Sequence, residues 1–163
     1  MTCPSVPPGT VLVLCLGNPI RSDDAVGLAV ASALEAAPPE GAVVRRSGVS
    51  GPHLLDEVEG FDSLVVVDAQ EGSGRPPGDL AVFELGAEAA PPSSWGHGAG
   101  LAEVLSRSRT SGCAVPSRAW VVSVAIADGQ TVGEGLSPAV LAAVPRAAFE
   151  VRLLVERLRD VPR

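Results

Sequence analysis

The sequence predicts an α/β fold with three layers, α/β/α, in which a twisted, mostly parallel sheet lies between helices, as in phosphorylase-like and hydrolase-like domains. Short apolar runs with no polar face, such as VLVLCL and SLVVVDA, favour strands that are buried on both sides. Segments with helical apolar spacing separate these runs, and this alternation is typical of a parallel sheet. The 163 residues fit a single domain, 1–163, with its core at about 11–158.

Three strands and two helices are predicted in the first half of the chain. The strands are Val11–Leu16, Ala42–Val49 and Ser63–Asp68, the last ending at its aspartate. The first helix runs from about residue 23 to 36, because its apolar residues form one stripe and two prolines follow it. A short helix is predicted over Pro52–Glu59, with proline at its start.

The second half adds two strands and two helices. Leu80–Leu85 is predicted as an edge strand, and Ala119–Ala127 as the last buried strand. Residues 89–100 are predicted to be irregular, with a helix over Leu101–Arg107 after them. A long helix begins after Ser137 and runs to about residue 159, because serine followed by proline is a helix-start signal.

Charge and hydropathy exclude several classes of function. The formal net charge is −7 and all 12 basic residues are arginine, so the chain lacks the positive surface that nucleic acids require. The apolar runs are far shorter than the roughly 20 residues that span a bilayer, so no membrane partner is expected. The first residues show no signal peptide, and we expect a cytoplasmic protein. The three cysteines, at positions 3, 15 and 113, form no paired framework, so disulfides are not expected.

Two adjacent aspartates stand out in the segment GNPIRSDDAVG, residues 17–27. One of them can cap the following helix, since a short acceptor side chain satisfies a free backbone N–H there. We interpret Asp23 as that cap, and Asp24 is then left without a structural role. Asp68 closes the third predicted strand, where it can be either a ligand or the cap of the next turn.

A histidine joins these aspartates in the predicted topology. In an open parallel sheet, ligands bind beyond the carboxyl ends of the strands where the strand order reverses. If the order begins 2-1-3, the pair Asp23 and Asp24 faces Asp68 there, and His97 can reach the same rim from the segment before the next helix. Two carboxylates and one imidazole suit a divalent transition metal with coordination positions left open.

Two other classes share parts of this pattern. A phosphorelay receiver domain also has an acidic pair after its first strand and an aspartate at the end of its third. It needs a lysine after its last strand, however, and this chain has no lysine. A peptidyl-tRNA hydrolase-like enzyme shares the LGNP segment, but that family has its catalytic histidine soon afterwards, where this sequence has Ser22, Asp23 and Asp24.

Four segments in order, GNPIRSDDAVG, VVVDA, HGAGLAEVL and GEGLSPAVLAAVP, resemble hydrogenase maturation endopeptidases. These enzymes remove a C-terminal extension from the large subunit of nickel-iron hydrogenase after nickel has been inserted. The resemblance runs from about Val11 to Leu158 and implies the same layered fold.

The resemblance also implies a set of site residues. By position, Asp24, Asp68 and His97 correspond to the family's metal-coordinating and catalytic residues, and Asp23 to a cap or a residue just outside the site. The implied metal is the nickel carried by the hydrogenase large-subunit precursor, so it should bind weakly or not at all to the free protein. The implied activity is that of an aspartyl-peptidase-like hydrolase acting on that precursor, and we expect it to act as a monomer.

Three departures from the family pattern concern the loops. Ala25 replaces a common glycine, Trp95 and Gly96 separate a serine pair from His97, and Ala127 begins the segment that in many members contains Glu-Pro. No serine or cysteine nucleophile with a neighbouring base is evident. The sequence therefore leaves open a non-catalytic homologue that binds the nickel-loaded subunit as a maturation chaperone.

Overall fold

The computed structural model of the protein describes residues 6–50, 53–86 and 96–160, without the side chains of residues 96–100. Within these ranges the strands are β1 (Val11–Leu16), β2 (Ala42–Ser47), β3 (Ser63–Glu71), β4 (Leu80–Leu85) and β5 (Arg118–Ile126). The helices are α1 (Val26–Ala36), α2 (Leu54–Val58), α3 (Gly96–Thr110) and α4 (Pro138–Arg159), and a 3-10 turn at Ser22–Ala25 precedes α1.

The five strands form one mixed sheet in the order β2-β1-β3-β5-β4. β4 is antiparallel to β5, and every other neighbouring pair is parallel. The predicted α/β class and the predicted order 2-1-3 are both confirmed. The chain passes from β1 to β2 at one end of the strand order and from β3 to β4 at the other end. The switch in strand order therefore lies between the carboxyl ends of β1 and β3.

Alternate side chains of the strands belong to two separate apolar cores, as expected for a sheet covered on both faces. Val13, Val65 and Val122 are in the core that also contains side chains of α1 and α4. Leu14 and Val66 are in the opposite core, which contains side chains of α2 and α3. Each such buried side chain stabilises the fold by about 1.5–3 kcal/mol relative to its exposed state. Both faces are thereby filled, and the loops at the strand ends are left as the accessible edge.

Strand β3 extends further than its sequence predicted. Its pairing with β1 ends at the pair Cys15 and Val67, but its pairing with β5 continues to Glu71 opposite Ile126. The prediction that the strand ends at Asp68 was therefore wrong, because β5 supplies hydrogen-bond partners to residues that look like a turn in the sequence. Asp68 lies immediately after the last residue paired with β1.

Two predicted helix starts also change. The segment from residue 23 begins as a 3-10 turn, and the α-helix starts only at Val26. Helix α3 begins at Gly96 and runs to Thr110, so His97 lies in its first turn rather than in an irregular segment. The remainder of that predicted irregular segment, residues 89–95, lies outside the described residues. In the described part of the chain, no helix is long and apolar enough to span a membrane.

Candidate active site

Asp24 is held in place by the turn that follows β1. Its Oδ2 accepts a hydrogen bond from the backbone N–H of Asn18 at 3.0 Å. The side chain of Asn18 in turn accepts from the N–H of Ile20 at 3.1 Å. These bonds close a compact loop from the end of β1 to the acidic pair, and the half-buried carboxylate of Asp24 is fixed at the carboxyl edge of the sheet.

The residue before the acidic pair has a strained backbone. Ser22 has a φ of 31°, a backbone conformation that residues other than glycine rarely adopt. Its N–H donates to the carbonyl of Gly133 at 2.9 Å, and its hydroxyl donates to the carbonyl of Gly135 at 3.2 Å. The loop that follows β5 therefore holds the turn of the acidic pair in shape, and such strain is often stored at functional sites.

Gly27 allows the first turn of α1 to approach the strands closely. A Cβ atom at this position would lie 2.0 Å from the carbonyl oxygen of Leu16 and 3.0 Å from that of Val67. Only glycine can place the helix there without moving its backbone. This contact brings the segment of Asp24 against the ends of both β1 and β3.

Asp23 does not cap its own helix, and that prediction was wrong. The 3-10 turn and α1 have no side-chain hydrogen bond at their N-caps. Instead, the carboxylate of Asp23 accepts from Ser137, with 2.6 Å from the backbone N–H and 2.8 Å from the hydroxyl. Ser137 is the N-cap residue of α4, so Asp23 connects the starts of two helices that pack together.

Replacing Asp23 with alanine should lower the free energy of unfolding. The variant loses the carboxylate that accepts both hydrogen bonds from Ser137. A hydrogen bond to a charged group contributes roughly 1.5–3 kcal/mol to stability. Denaturation in urea should show a lower midpoint with little change in slope. An unchanged midpoint would show that the contact with Ser137 contributes no stability.

Asp68 lies on the face of the sheet covered by α2 and α3. Its side chain is fully buried, and its Oδ1 accepts from the N–H of Ala69 at 2.9 Å. The alternation along β3 places it above Val66, in the same row as its register neighbour Ser123 on β5. Burying a carboxylate is costly unless polar groups surround it, and Asp68 shares this face with the buried polar residues Gln70 and Ser123.

The structure brings Asp24 and Asp68 to the same edge of the sheet, from different elements. A cavity of about 200 Å³ opens there, and its lining includes Asp24 but not Asp68. The lining residues are Leu16, Gly17, Asn18, Arg21, Asp24, Gly48 and Val49. Among the side chains that the structure describes, no three His, Cys, Asp or Glu residues are close enough to hold a metal ion. The side chain of His97 is outside that set, and its backbone lies at the start of α3, in the layer that Asp68 faces.

A third loop reaches the same edge after β5. Asp128 accepts hydrogen bonds from the N–H groups of Gln130 and Thr131, and its other oxygen accepts from the Thr131 hydroxyl. The bond from the Thr131 hydroxyl is the main reason that the pKa of Asp128 is lowered. The turn so formed places buried Gly129 where an added Cβ would be 3.5 Å from Oε2 of Glu71 and 4.0 Å from Oδ1 of Asp24. The Asp128 segment therefore borders the site even though it departs from the family pattern.

A polar network beside Asp68 was missed by the sequence analysis. Gln70 and Ser123 are buried, and the Ser123 hydroxyl donates to Oε1 of Gln70 at 2.8 Å. Arg75 donates from Nη2 to the same oxygen at 2.9 Å and to the Ser123 hydroxyl at 3.4 Å. The alternation of Asp68 and Gln70 in an apolar strand was the available signal, but it was obscured by ending β3 too early.

Neither cysteine in the described part of the chain is placed to act as a nucleophile. Burial raises the pKa of Cys15 to about 12, so this residue remains a thiol at neutral pH. Cys113 is exposed and follows the end of α3, at the opposite edge of the sheet from Asp24. Both are free thiols.

Comparison with known proteins gives concordant results. The sequence model of the hydrogenase maturation protease family matches residues 28–152, a range that contains Asp68 and His97 and begins just after Asp24. The hydrogenase 2 maturation protease of Escherichia coli (strain K12) is 31% identical over 147 residues, which are 86% of this chain and 87% of that protein. The solved structure of the hydrogenase maturating endopeptidase HybD from E. coli superposes with a TM-score of 0.77 and 28% identity, covering 91% of this chain and 93% of the other.

A more distant structure has the same fold. The [NiFe] hydrogenase maturation protease HybD from Thermococcus kodakarensis has a TM-score of 0.68 at 21% identity, covering 90% of this chain and 99% of that one. The family model and the two E. coli relatives identify the chain as a peptidase. It belongs to the hydrogenase maturation protease family.

Proposed function

We propose that this chain removes the C-terminal extension of a nickel-iron hydrogenase large-subunit precursor after nickel insertion. The client's nickel is recognised by Asp24, Asp68 and His97, so that only the loaded precursor is cut. Membership of the family supports the reaction class, and the names of the relatives support a hydrogenase precursor as substrate. The nickel is part of the client and is not a resident cofactor.

The observation that carries the proposal is the position of two carboxylates at the same edge of the sheet, beside the switch in strand order. Asp24 is held there by the N–H of Asn18, and Asp68 is buried where β3 passes the end of β1. Neither carboxylate is needed as a helix cap in its own element. The backbone of His97 lies in the layer that Asp68 faces, and its imidazole would complete a nitrogen and oxygen ligand set suited to nickel.

The described side chains support hydrolysis by water rather than by a protein nucleophile. The two described cysteines are a buried thiol and a thiol at the far edge. A carboxylate at the site can accept a proton from an attacking water, and a metal ion can polarise the carbonyl that is attacked. Binding the client's nickel would also fix the scissile bond in the crevice, which by itself makes cleavage depend on nickel loading.

The isolated protein should bind nickel or cadmium weakly, and His97→Ala should weaken that binding further. Removal of one ligand should reduce affinity by at least about tenfold, the lower end of what loss of an outer-shell partner costs. Isothermal titration calorimetry with each metal ion measures the change. His53→Ala is the matched control, because this exposed residue at the start of α2 is the other histidine of the chain. Equal affinity in the wild type and His97→Ala would remove His97 from the site.

The activity is tested by incubating the purified protein with a nickel-loaded large-subunit precursor from the same organism. Intact-mass spectrometry should show loss of a C-terminal peptide from the precursor. If the precursor forms a complex with the protein but keeps its full mass, the chain is the non-catalytic maturation chaperone and the proposal of proteolysis fails. If the precursor is neither bound nor cut, both functions fail.

A further inference from the structure

We propose that Arg75 binds a carboxylate of the client polypeptide beside Asp68, and so helps to determine which client is accepted. The inference rests on the proposed function, since it concerns the precursor that would occupy the crevice. Arg75 is in the loop between β3 and β4, which leaves the sheet at the same edge as Asp24 and Asp68.

The position of the guanidinium is fixed by two buried residues next to Asp68. Gln70 is two residues further along β3 on the same face, and Ser123 is the residue of β5 directly opposite Asp68. Nη2 of Arg75 donates to both of them, at 2.9 Å and 3.4 Å. The side chain of this partly buried arginine is thus anchored over the row that contains Asp68.

One nitrogen of this guanidinium is not satisfied by the described residues. Nη1 of Arg75 is buried, and within the described part of the chain it has no hydrogen-bond partner. A buried charged donor without an acceptor is destabilising, because its hydration is lost and not replaced. An acceptor that arrives with the substrate would satisfy it, and the cost in the free protein would then favour binding of the correct client.

A carboxylate is the acceptor that this site fits best. The anchors of Arg75 are an amide oxygen and a hydroxyl, both neutral, and Arg75 takes no part in the ion pairs found among the described residues. Its positive charge is therefore available, and hydrogen bonds between guanidinium and carboxylate are about twice as strong as those between neutral groups. In the proposed complex, the client's nickel offsets the negative charge of Asp68.

Arg118 shows why position matters as well as the missing partner. Its Nη1 is also buried without a partner among the described residues, and its Nη2 donates to the carbonyl of Leu158 at 3.0 Å. Arg118 begins β5, however, and so lies at the amino edge of the sheet, away from the site. Arg118 is therefore a matched control: it has the same buried guanidinium nitrogen without a partner, but it lies at the opposite edge of the sheet.

The test compares steady-state cleavage and binding of the nickel-loaded precursor by the wild type, Arg75→Gln and Arg118→Gln. Arg75→Gln should raise KM by about tenfold to a hundredfold, the loss of one charge-assisted hydrogen bond, and leave kcat unchanged. Arg75→Lys keeps the charge, but lysine lacks the planar fork that holds Gln70 and a ligand together. Its KM should therefore lie between that of the wild type and that of Arg75→Gln. Thermal unfolding of each variant shows that it is folded.

The outcomes distinguish failure of the inference about Arg75 from failure of the proposed function. If the wild type cuts the precursor and Arg75→Gln has the same KM as Arg118→Gln, the inference is overturned and the proposed function stands. If the wild type binds without cutting and Arg75→Gln weakens the complex, proteolysis fails and the inference stands. If the wild type neither binds nor cuts, both fail.

Replacing the acidic side chains near the client's cleavage site by amides identifies the carboxylate that Arg75 binds. If Arg75→Gln no longer raises KM for such a client, the carboxylate is a side chain. If Arg75→Gln still raises KM, the carboxylate is the chain terminus.

Discussion

Replacing Asp68 by asparagine is expected to reduce cleavage of the nickel-loaded precursor by about a hundredfold or more, which is the lower end of what proton transfer by a positioned side chain contributes. The amide keeps the size of the carboxylate and an oxygen that can accept from Ala69, so the fold should survive. What is lost is the negative charge that would engage the metal or accept a proton. Asp24→Asn should have a similar effect, since its amide oxygen can still accept from Asn18.

The matched control for these two variants is Asp160→Asn. Asp160 follows the last residue of α4, at the amino edge of the sheet, so its charge is far from the proposed site. Rates of tail removal by mass spectrometry should be equal for the control and the wild type. If Asp24→Asn and Asp68→Asn both cut at the wild-type rate, the assignment of the site is wrong.

Gly27→Ala is also expected to lower the stability of the fold. An added Cβ would meet the carbonyl oxygen of Leu16 at 2.0 Å, which cannot be relieved by rotating a side chain. Overpacking of this kind costs about 3 kcal/mol or more, whereas alanine in place of glycine gains only about 1 kcal/mol of helix propensity. The net loss of about 2 kcal/mol should lower Tm by roughly 4–8 °C in a protein of this size.

Gly133→Ala provides the comparison for Gly27. Nothing lies within 4 Å of the Cβ that would be added at Gly133, and its backbone is outside the positive-φ region. Its free energy of unfolding should stay within about 0.5 kcal/mol of the wild type. Equal thermal midpoints for Gly27→Ala and Gly133→Ala would contradict the account of how α1 is seated against the strands.

The parts of the fold that sequence predicted are those with a local signal. Strand β1 is fully buried, so its six residues carry no polar face, and its predicted bounds are those of the structure. Helix α4 begins after Ser137 as predicted, because a serine followed by proline is a strong start signal. Asp24 and Asp68 could be placed at one edge because the end of a parallel strand determines where the next loop lies.

The parts that sequence missed depend on contacts far along the chain. The partner of Asp23 is 114 residues away, and nothing near Asp23 indicates it. The last residues of β3 are polar and resemble a turn, yet their pairing with β5 makes them a strand. Three glycines near His97 disfavour a helix, but burial of Leu101 and Leu105 in the core on that face stabilises α3 regardless.

The most direct test of nickel-dependent processing uses one precursor in two forms. The purified large-subunit precursor, nickel-free or nickel-loaded, is incubated with the protein, and loss of its C-terminal tail is followed by intact mass. We expect the loaded form to be cut and the nickel-free form to keep its full mass, because only bound nickel can engage Asp24, Asp68 and His97 and position the scissile bond. Cleavage of both forms at the same rate would contradict this account.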